Sequence, residues 1–332
     1  MGDVAMLVPV VERLHAAYPK LSISVVTKPF FTNLFSHLPY VNCIGAEVKG
    51  KHKGLLGLYK LANELPPNID VVADMHEVLR SKFLRSLLRW KAKKVAVIDK
   101  LRNQKKQLTA LQPKDIQPLP SVFEAYAKVL SELQLPIQLS SEVKPTSIKQ
   151  NPEVLKKLEI QNEFTRVGFA PFAAHQPKVL GVEKSKELIE CVCNKSNANL
   201  LLFGGGANEI EQLNKLAEGK KQVYVVAGKF SFKEELSIIA SLDLMISMDS
   251  GNGHLAAMFG KPVITIWGAT HPYAGFTPFN QPEENQFTPD LAKFPFLPTS
   301  IYGNKMVEGY ENAMQSISIS AICNRALEII ET

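Results

Sequence analysis

Residues 244–267 read LMISMDSGNGHLAAMFGKPVITIW. The apolar run 244–248 predicts a buried strand, and residues 253–259 that follow the small and polar turn have helical spacing. Residues 262–267 predict another apolar strand. A strand, a tight turn, a helix and a second strand form the repeating unit of a parallel sheet with crossover helices. The stretch therefore predicts a doubly wound α/β domain.

The same alternation extends outward through both halves of the chain. In the second half, strands are predicted at 167–170, 199–203 and 223–226, with helices at 184–194, 209–217 and 233–240. In the first half, strands are predicted at 22–27, 69–74 and 94–99, with helices at 8–17, 55–64 and 77–90. Two such series predict two α/β domains.

Domain boundaries follow from the length and from a change in composition. A chain of 332 residues suggests about two domains. Apolar density falls between residues 138 and 163, where Pro, Ser and Lys dominate, and this segment is predicted to link domains 1–150 and 163–312. Residues 272–304 lack periodicity and predict a long surface loop. Residues 317–331 are amphipathic and predict a terminal helix.

The composition is that of a soluble globular chain. The mean hydropathy is −0.02, with 45% hydrophobic and 21% charged residues, which excludes a mainly disordered chain. No stretch approaches the ~20 apolar residues of a membrane span, and no leader pattern follows Met1, so a cytoplasmic location is expected. The four cysteines fit neither zinc nor redox spacing and are predicted to be reduced: Cys43, Cys191, Cys193 and Cys323.

Positive charge is concentrated in the first half. The formal net charge is +6, but residues 1–150 hold 22 Lys and Arg against 12 Asp and Glu. Any one lysine cluster is explained by solubility alone. Their concentration favours an anionic partner such as a phosphorylated lipid or a membrane surface. Nucleic acid is the weakest candidate, because the clusters lack interleaved aromatic residues and no recognition motif accompanies them.

The turn after the strand at 244–248 is the sharpest candidate site. Asp249, Ser250, Gly251, Gly253 and His254 place unpaired backbone N–H groups and the positive end of a helix dipole at the carboxyl edge of the sheet. Such an edge binds anions, and the glycines let a diphosphate approach the backbone. N-capping is an equal alternative for Ser250, and a buried core imidazole is the alternative for His254.

Two further loops follow strands of the same predicted sheet. Gly204, Gly205 and Gly206 open a phosphate-tolerant turn, although glycines in such a turn also serve geometry alone. Their spacing is neither the dinucleotide fingerprint nor a P-loop. Lys178 ends a loop of small residues, where a lysine neutralises a leaving phosphate; in isolation it is an ordinary surface lysine.

The first half offers carboxylates beside helix starts. Asp3 is predicted at the start of a helix, either as a cap favoured by the helix dipole or as a general base. Asp74 ends the strand at 69–74 and His76 follows it, where they either line the same interdomain cleft or cap the next helix.

Taken together, these segments resemble glycosyltransferase family 9, the ADP-heptose:lipopolysaccharide heptosyltransferases. The resemblance spans nearly the whole chain and is carried by Gly2-Asp3-Val4, Pro9-Val10-Val11 with Leu14, Tyr18-Pro19, Asp70 to Asp74, Leu79-Arg80-Ser81, Lys178, Phe203 to Glu209, Asp249-Ser250-Gly251, His254-Leu255-Ala256-Ala257, Gly260-Lys261-Pro262-Val263 and Gly268-Ala269-Thr270.

The resemblance implies a GT-B fold, with two Rossmann-like domains facing a cleft and the segment 313–332 returning as a helix to the first domain. It implies inverting, metal-independent transfer of a heptose from ADP-heptose to a lipopolysaccharide inner-core acceptor, with no cofactor. The implied partners are a nucleotide sugar and an anionic glycolipid, with peripheral contact at the inner membrane surface. The implied base is Asp3, the implied donor-binding residues are Lys178, Gly204, Gly205, Gly206, Asp249, Ser250, Gly251, Gly253 and His254, and the implied acceptor-binding residues are Asp74, His76 and Arg80.

The sequence departs from the family pattern in four places. No strand precedes Gly2-Asp3, so the first sheet is expected to lack its central strand and to have an open edge beside Asp3. Small residues, Ala173-Ala174, stand where polar ones are usual, Val179-Leu180 replace an aromatic residue, and Ala313 stands in place of a late cysteine. A different donor such as a UDP- or CMP-sugar, a sugar-nucleotide epimerase, and a catalytically idle sugar-binding protein are the alternatives.

Overall fold

The computed structural model describes residues 1–140, 142–148, 152–158, 160 and 164–331. The helices are α1 Gly2–Ala17, α2 Gly54–Glu64, α3 Leu79–Leu88, α4 Arg102–Leu108, α5 Val122–Glu132, α6 Pro152–Lys156, α7 Val182–Lys195, α8 Ala207–Ala217, α9 Phe232–Ala240, α10 Gly251–Met258 and α11 Ile319–Ile330. The strands are β1 Ile23–Thr27, β2 Val41–Gly45, β3 Ile69–Asp74, β4 Ala92–Val97, β5 Arg166–Ala170, β6 Asn199–Leu202, β7 Val223–Val225, β8 Leu244–Met248, β9 Val263–Ile266 and β10 Gln286–Phe287. The predicted α/β class is confirmed.

The chain divides into two compact units. The first contains Met1, residues 3–101 and residues 120–146, and the second contains Gly2, residues 102–119 and the chain from Ser147 onward. The prediction assigned all of residues 1–150 to one domain. Residues 102–119 belong instead to the second unit, where the Lys114 ammonium donates to the backbone oxygens of Phe296 and Pro298, each at 2.9 Å. Hydrogen bonds between residues so far apart in the chain cannot be predicted from the local sequence pattern.

The first unit has two small parallel sheets instead of one. Strand β1 pairs with β2, Ile23 lying opposite Val41, and β3 pairs with β4, Ile69 lying opposite Ala92. In the part of the chain that the structure describes, no ladder joins the two pairs. Each pair is therefore a separate two-stranded sheet in the described residues.

Helices α2 and α3 cover these strands with apolar faces. Leu58 and Leu61 of α2 are buried in a cluster that includes Phe83 and Leu84 of α3. Further along, Leu65 packs in a cluster with Leu87 and Leu88. The amphipathic spacing thus buries one stripe of α2 and partly buries one stripe of α3, and it leaves the opposite stripes to solvent.

The second unit is built on one six-stranded parallel sheet. The strand order is β10-β9-β8-β5-β6-β7. The chain first adds strands on one side of β5 and then, from β8, on the other side, so the order reverses between β5 and β8. Strands β6, β8 and β9 are buried along their whole length, which explains their continuous apolar runs. The core contains, among others, Val167, Phe169, Leu200, Leu202, Ile246 and Ile264.

The segment 272–304 is not the surface loop that the sequence predicted. It contributes strand β10 to the sheet, and Asn285, Leu297, Thr299 and Ser300 are all buried. The backbone N–H groups of Thr299 and Ser300 both donate to the Ala269 oxygen, at 3.0 and 3.1 Å. The prediction failed because this segment is held by irregular long-range bonds, which have no periodicity.

Helix α11 belongs to the second unit, although residues 313–332 were expected to return to the first domain. Its apolar side packs against α7 and β8 in the main core, and Arg325 donates to Asn285 at 2.8 Å. A disulfide joins Cys191 of α7 to Cys323 of α11. The prediction that all four cysteines are reduced is therefore wrong for this pair. The two cysteines lie 132 residues apart in the chain, so their spacing in the sequence does not predict that they pair.

Candidate functional site

Four loops meet at the carboxyl edge of the large sheet. They follow β5, β6, β8 and β9, which are neighbours in the strand order. In an open parallel sheet, ligands bind where the strand order reverses, because the loops on either side separate and leave a crevice. Here that point lies between β5 and β8. The loop after β5 carries Lys178, and the loop after β8 carries Asp249.

Lys178 and Asp249 form a nearly buried ion pair at this point. Lys178 ends a short 3-10 helix, Gln176–Lys178, and is 9% exposed. Its Nζ donates to the backbone oxygen of Asp249 at 2.6 Å and lies 3.2 Å from Asp249 Oδ2. A buried ammonium needs a negative partner. A diphosphate that approaches the loops offers stronger acceptors to the same ammonium.

Helix α10 begins at Gly251, two residues after Asp249. Ser250 is its N-cap residue, yet the Ser250 side chain makes no capping hydrogen bond, and Ser250 Oγ has no partner among the described residues. Ser250 therefore occupies the N-cap position, as the capping alternative predicts, but its hydroxyl does not cap the helix. The first-turn N–H groups of α10 and the Ser250 hydroxyl remain available for an anion.

Gly253 and His254 complete the first turn of α10. A Cβ atom at Gly253 would lie 2.6 Å from Ser247 Oγ of β8, so only glycine lets the helix start this close to its strand. His254 is 7% exposed, and it lies inside the protein beside this turn. The residues from Asp249 to His254 are thus brought to one place, as the sequence predicted.

The glycine turn after β6 differs from the prediction in its electrostatics. The N–H group of Gly205 donates to Glu209 Oε2 at 2.8 Å, and Gly206 has a φ of +81° at the start of α8. The Glu209 carboxylate thus accepts the hydrogen bond of one backbone N–H group of the turn and adds a negative charge there. Such a turn suits a hydroxyl-bearing part of a ligand better than a phosphate. Glu209 lay in the quoted motif, but sequence reasoning did not single it out.

The loop after β9 adds residues that sequence reasoning missed. A Cβ atom at Gly268 would lie 2.9 Å from Lys178 Cα, and the Ala269 N–H group donates to the Pro177 oxygen at 2.9 Å. The buried hydroxyl of Thr270 has no partner among the described residues. The motif Gly268-Ala269-Thr270 was the available signal, since it follows a strand of the same sheet.

A buried histidine also follows β9. Burial, together with the positive charge of Lys114, lowers the pKa of His271 to about 4. His271 is therefore neutral at pH 7, and its Nδ1 accepts from the Tyr273 N–H group at 3.2 Å. The His271 side chain therefore supplies no positive charge to an anionic ligand. Lys178 does, because its ammonium reaches the loop after β8.

The candidate base lies in the first unit. Asp3 is exposed in the first turn of α1, where a carboxylate is favoured by the helix dipole. Within the described ranges its carboxylate makes no hydrogen bond or ion pair. The backbone oxygen of Asp3 accepts from the Tyr126 hydroxyl at 3.3 Å, and burial is the main reason that the Tyr126 pKa is raised. Asp3 thus has an anchored backbone and an open carboxylate.

The three candidate acceptor residues have different surroundings. Asp74 is 6% exposed: its Oδ1 accepts from the N–H groups of His76 and Glu77, and its Oδ2 accepts from Arg85 at 3.0 Å. These bonds favour the capping interpretation of Asp74. His76 and Arg80 are exposed, and only these two side chains are open to a ligand; the acceptor role remains a prediction for all three.

The described residues lack two further kinds of feature. No group of three or more His, Cys, Asp or Glu side chains among them is placed to hold a metal ion. None of the helices described is both long and apolar enough to cross a membrane.

Comparisons with known proteins agree on one family. The model of glycosyltransferase family 9 (heptosyltransferase) matches residues 58–293. Lipopolysaccharide heptosyltransferase 3 of Escherichia coli is 23% identical over 282 residues, covering 81% of each chain. Lipooligosaccharide heptosyltransferase 2 of Haemophilus influenzae is 25% identical over 295 residues, covering 82% of each chain.

Solved structures show the same fold. A glycosyl transferase family 9 protein from Veillonella parvula has a TM-score of 0.76 at 18% identity, covering 100% of this chain and 94% of that one. The E. coli heptosyltransferase WaaC with ADP has a TM-score of 0.66 at 19% identity, covering 99% and 97%. The expected GT-B fold is confirmed. With the family model matching most of its length, the chain belongs to glycosyltransferase family 9, the heptosyltransferases, and is a glycosyltransferase.

Proposed function

We propose that this glycosyltransferase transfers a heptose from ADP-heptose to a lipopolysaccharide inner-core acceptor, with inversion at the anomeric carbon and without a metal or cofactor. The curated relatives are named as lipopolysaccharide or lipooligosaccharide heptosyltransferases. A structural relative, WaaC, has been solved with ADP and with ADP-2-deoxy-2-fluoro heptose. The observation that carries the proposal is the buried Lys178 beside the open first turn of α10.

The second unit supplies the donor chemistry. When the bond from the sugar to the diphosphate breaks, its electron pair stays on the leaving phosphate oxygen. Lys178 and the N–H groups at the start of α10 stabilise that negative charge, with Ser250 Oγ as a further donor. Asp249 holds the Lys178 ammonium in place before the donor binds. These groups are fixed before the reaction, so they need little reorganisation.

The first unit supplies the acceptor chemistry. Asp3 accepts the proton of the attacking acceptor hydroxyl while the new glycosidic bond forms. The exposed His76 and Arg80 bind the acceptor, and the cations of residues 1–150 attract its negative groups. Such an acceptor is an anionic glycolipid, so the enzyme works in the cytoplasm in peripheral contact with the inner membrane surface.

A panel of nucleotides tests the donor. Thermal unfolding is followed with ADP, UDP and CMP at equal concentrations. ADP is expected to raise the unfolding temperature most, since a ligand at 100 times its Kd stabilises a protein by about 2.7 kcal/mol. A larger effect of UDP or CMP contradicts the ADP-linked donor. No effect of any nucleotide contradicts the transferase and indicates an idle protein.

A further inference from the structure

Exposed apolar side chains are gathered on the first unit. Leu55, Leu56 and Tyr59 of α2 are 63%, 81% and 56% exposed, and Leu79 at the start of α3 is 86% exposed. We call these four residues the α2–α3 patch. On α2 they occupy positions i, i+1 and i+4, which form one outward stripe. Large apolar side chains grouped in this way mark an interaction surface.

The two helices bring the four residues to one end of the unit. Leu58, one turn into α2, lies in a cluster with Phe83, one turn into α3. Leu65, just after α2, lies in a cluster with Leu88, the last residue of α3. The helices therefore run side by side in the same direction, and their first turns are neighbours.

Cations surround the patch. Lys53 and Lys60 flank its α2 residues, and Arg80 follows Leu79. Residues 79–98 hold seven Lys and Arg and no Asp or Glu. The exposed Trp90 follows the end of α3 that is distant from the patch, and the aromatic ring of the patch itself is that of Tyr59. Trp and Tyr rings favour the boundary between water and lipid, where an apolar body and a polar edge are both satisfied.

Most of these cations are not neutralised within the protein. Lys82 pairs with Glu77, Arg85 pairs with Asp74, and Lys93 pairs with Asp70. In the described part of the chain no carboxylate forms an ion pair with Lys53, Lys60 or Arg80, although each is exposed. The net charge around the patch is therefore positive, and its natural partner is negative.

We propose that the α2–α3 patch binds the surface of an anionic lipid bilayer, inserting its apolar side chains while the surrounding cations contact lipid phosphates. The inference rests on the proposed function in one respect, that the acceptor is a membrane glycolipid. A second copy of the chain is a poorer occupant, because a symmetric contact would place basic surface against basic surface.

Vesicle flotation with the full chain tests this surface. Vesicles of phosphatidylcholine with 30% phosphatidylglycerol are compared with pure phosphatidylcholine at low and high salt. We expect at least ten-fold stronger binding to the anionic vesicles, lost at high salt. The triple variant Leu55→Gln, Leu56→Gln, Tyr59→Gln is expected to weaken binding at least ten-fold. Leu111→Gln is the control, because Leu111 is an exposed leucine of the second unit.

A charge variant separates the contribution of the cations to vesicle binding from that of the apolar side chains. Lys60→Glu is expected to weaken binding to anionic vesicles by about five-fold or more, since one cation at such a surface contributes about 1 kcal/mol. Lys221→Glu, an exposed lysine of the second unit, is the control. Equal loss in both variants would show that net charge alone attracts the protein and would overturn the assigned surface.

Two further outcomes contradict the proposal. Unchanged vesicle binding by the triple variant excludes the patch, and a dimer that the triple variant dissociates assigns it to a second copy. The triple variant should still bind ADP and use a water-soluble acceptor oligosaccharide. If the unaltered chain fails on that acceptor, the proposed function is wrong, whatever the vesicles show.

A second, independent observation concerns Gly303. Its φ is +73°, and a Cβ atom there would overlap Cγ and Cδ of Lys178 and lie 3.0 Å from Cε. The aliphatic part of Lys178 therefore passes directly over a position that has no side chain. This glycine lies in the segment 272–304, for which the sequence predicts a long surface loop.

Neither partner in this contact moves easily. The Gly303 N–H group donates to Ser300 Oγ at 3.0 Å, and that hydroxyl donates to Asn304 Oδ1 at 2.9 Å. On the other side, Gly268 fits closely against the backbone of Lys178. A methyl group at Gly303 has no free space to enter, so it must displace the lysine side chain.

We infer that Gly303 is a positioning residue: its missing side chain keeps the path along which Lys178 reaches the loop after β8. The inference rests on the proposed role of Lys178 at the donor diphosphate. It predicts that Gly303→Ala weakens ADP binding at least ten-fold by withdrawing the ammonium. Isothermal titration with ADP and with adenosine measures the effect, and adenosine binding should change less than three-fold.

Gly309→Ala is the matched control. Gly309 has a φ of +81°, but no atom lies within 4 Å of its added Cβ, so the variant carries the backbone strain without the contact. In a Lys178→Ala background, Gly303→Ala should cause no further loss of ADP affinity. This non-additivity distinguishes positioning from a general structural role. If Gly303→Ala does not fold, the double variant should fold, because the clashing side chain is gone.

Three results are decisive. Equal effects of Gly303→Ala and Gly309→Ala would attribute the loss to strain and overturn the inference, as would additive loss in the double variant. If Lys178→Ala leaves ADP affinity unchanged, the proposed donor site itself is wrong. If Lys178→Ala weakens ADP binding and Gly303→Ala does not, only the role of Gly303 is wrong.

Discussion

At the scale of single residues, chemistry depends on which partners are already satisfied. Both carboxylate oxygens of Asp74 accept hydrogen bonds, from His76, Glu77 and Arg85. The carboxylate of Asp3, by contrast, has no hydrogen bond or ion pair among the described residues. Both were candidate functional acids in the sequence. Only the open carboxylate is able to take a proton from a substrate without dismantling local structure.

Lys178→Ala is expected to weaken ADP binding by about 10- to 100-fold, because a charge-assisted hydrogen bond contributes about 1.5–3 kcal/mol. Adenosine binding should change little, since adenosine lacks the diphosphate. Isothermal titration of both ligands measures the difference. Lys229→Ala, an exposed lysine of the same unit, is the control. Equal affinities of Lys178→Ala and the unaltered chain for ADP would remove Lys178 from the site.

Asp3→Asn is expected to lower kcat by about 10²- to 10⁴-fold, the usual contribution of a general base. ADP affinity should stay within two-fold, because the amide keeps the size of the side chain and the donor loops lie in the second unit. Transfer assays and ADP titration provide the two readouts, with Asp115→Asn as a control. Parallel loss of transfer and of ADP affinity would show that Asp3 has a structural role.

At the scale of the element, helix α9 shows how adjacent positions acquire opposite electrostatics. Glu234 accepts the N–H and O–H groups of the N-cap residue Ser231 and pairs with Lys157, which lowers its pKa to about 2. Burial raises the pKa of its neighbour Glu235 to about 7. One carboxylate completes a capping box, and the next is turned toward the interior.

Glu235→Gln is expected to stabilise the protein at neutral pH. The unfolded chain loses the Glu235 proton near pH 4.5, but the folded chain keeps it up to about pH 7. Folding stability therefore falls as the pH rises from 4.5 to 7, and the glutamine variant escapes this loss. We expect a gain of ~1–2 kcal/mol at pH 8 and none at pH 4.5, allowing for partial exposure.

Urea unfolding of both chains at pH 4.5, 6 and 8 measures this difference. The difference in unfolding free energy should grow across the three values and level off above pH 7. A difference that is the same at all three pH values would show that the amide changes packing and that ionisation of Glu235 plays no part.

At the scale of the whole molecule, contacts between distant segments define the second unit. Residues 102–119 join it through Lys114, and α11 joins it through the core and through Cys191–Cys323. A cross-link between residues 132 apart in the sequence greatly reduces the number of conformations open to the unfolded chain. The disulfide is therefore expected to stabilise the second unit mainly by restricting its unfolded state.

Cys323→Ala is expected to lower the free energy of unfolding by about 2–4 kcal/mol under oxidising conditions. Adding a reductant to the unaltered chain should have a similar effect and should not affect the variant further. Cys43→Ala is the control, because burial raises the pKa of the half-buried Cys43 to about 11 and it has no disulfide partner. Unchanged stability of Cys323→Ala would show that the cross-link does not form.

The sequence by itself determined the α/β class, most strands of the second unit and the anion-binding turn at 249–254. These features depend on local periodicity and on glycines next to a strand, so neighbouring residues are enough to predict them. The family resemblance rested on the same motifs.

Only the tertiary structure decided the burial of 272–304, the placement of α11, the disulfide, and the close fit of Gly303 against Lys178. Each of these joins residues far apart in the chain, and loop residues without periodicity leave no local pattern from which such contacts are inferred. A residue such as Gly303 is required by the side chain that lies across it, and that neighbour is known only once the chain has folded.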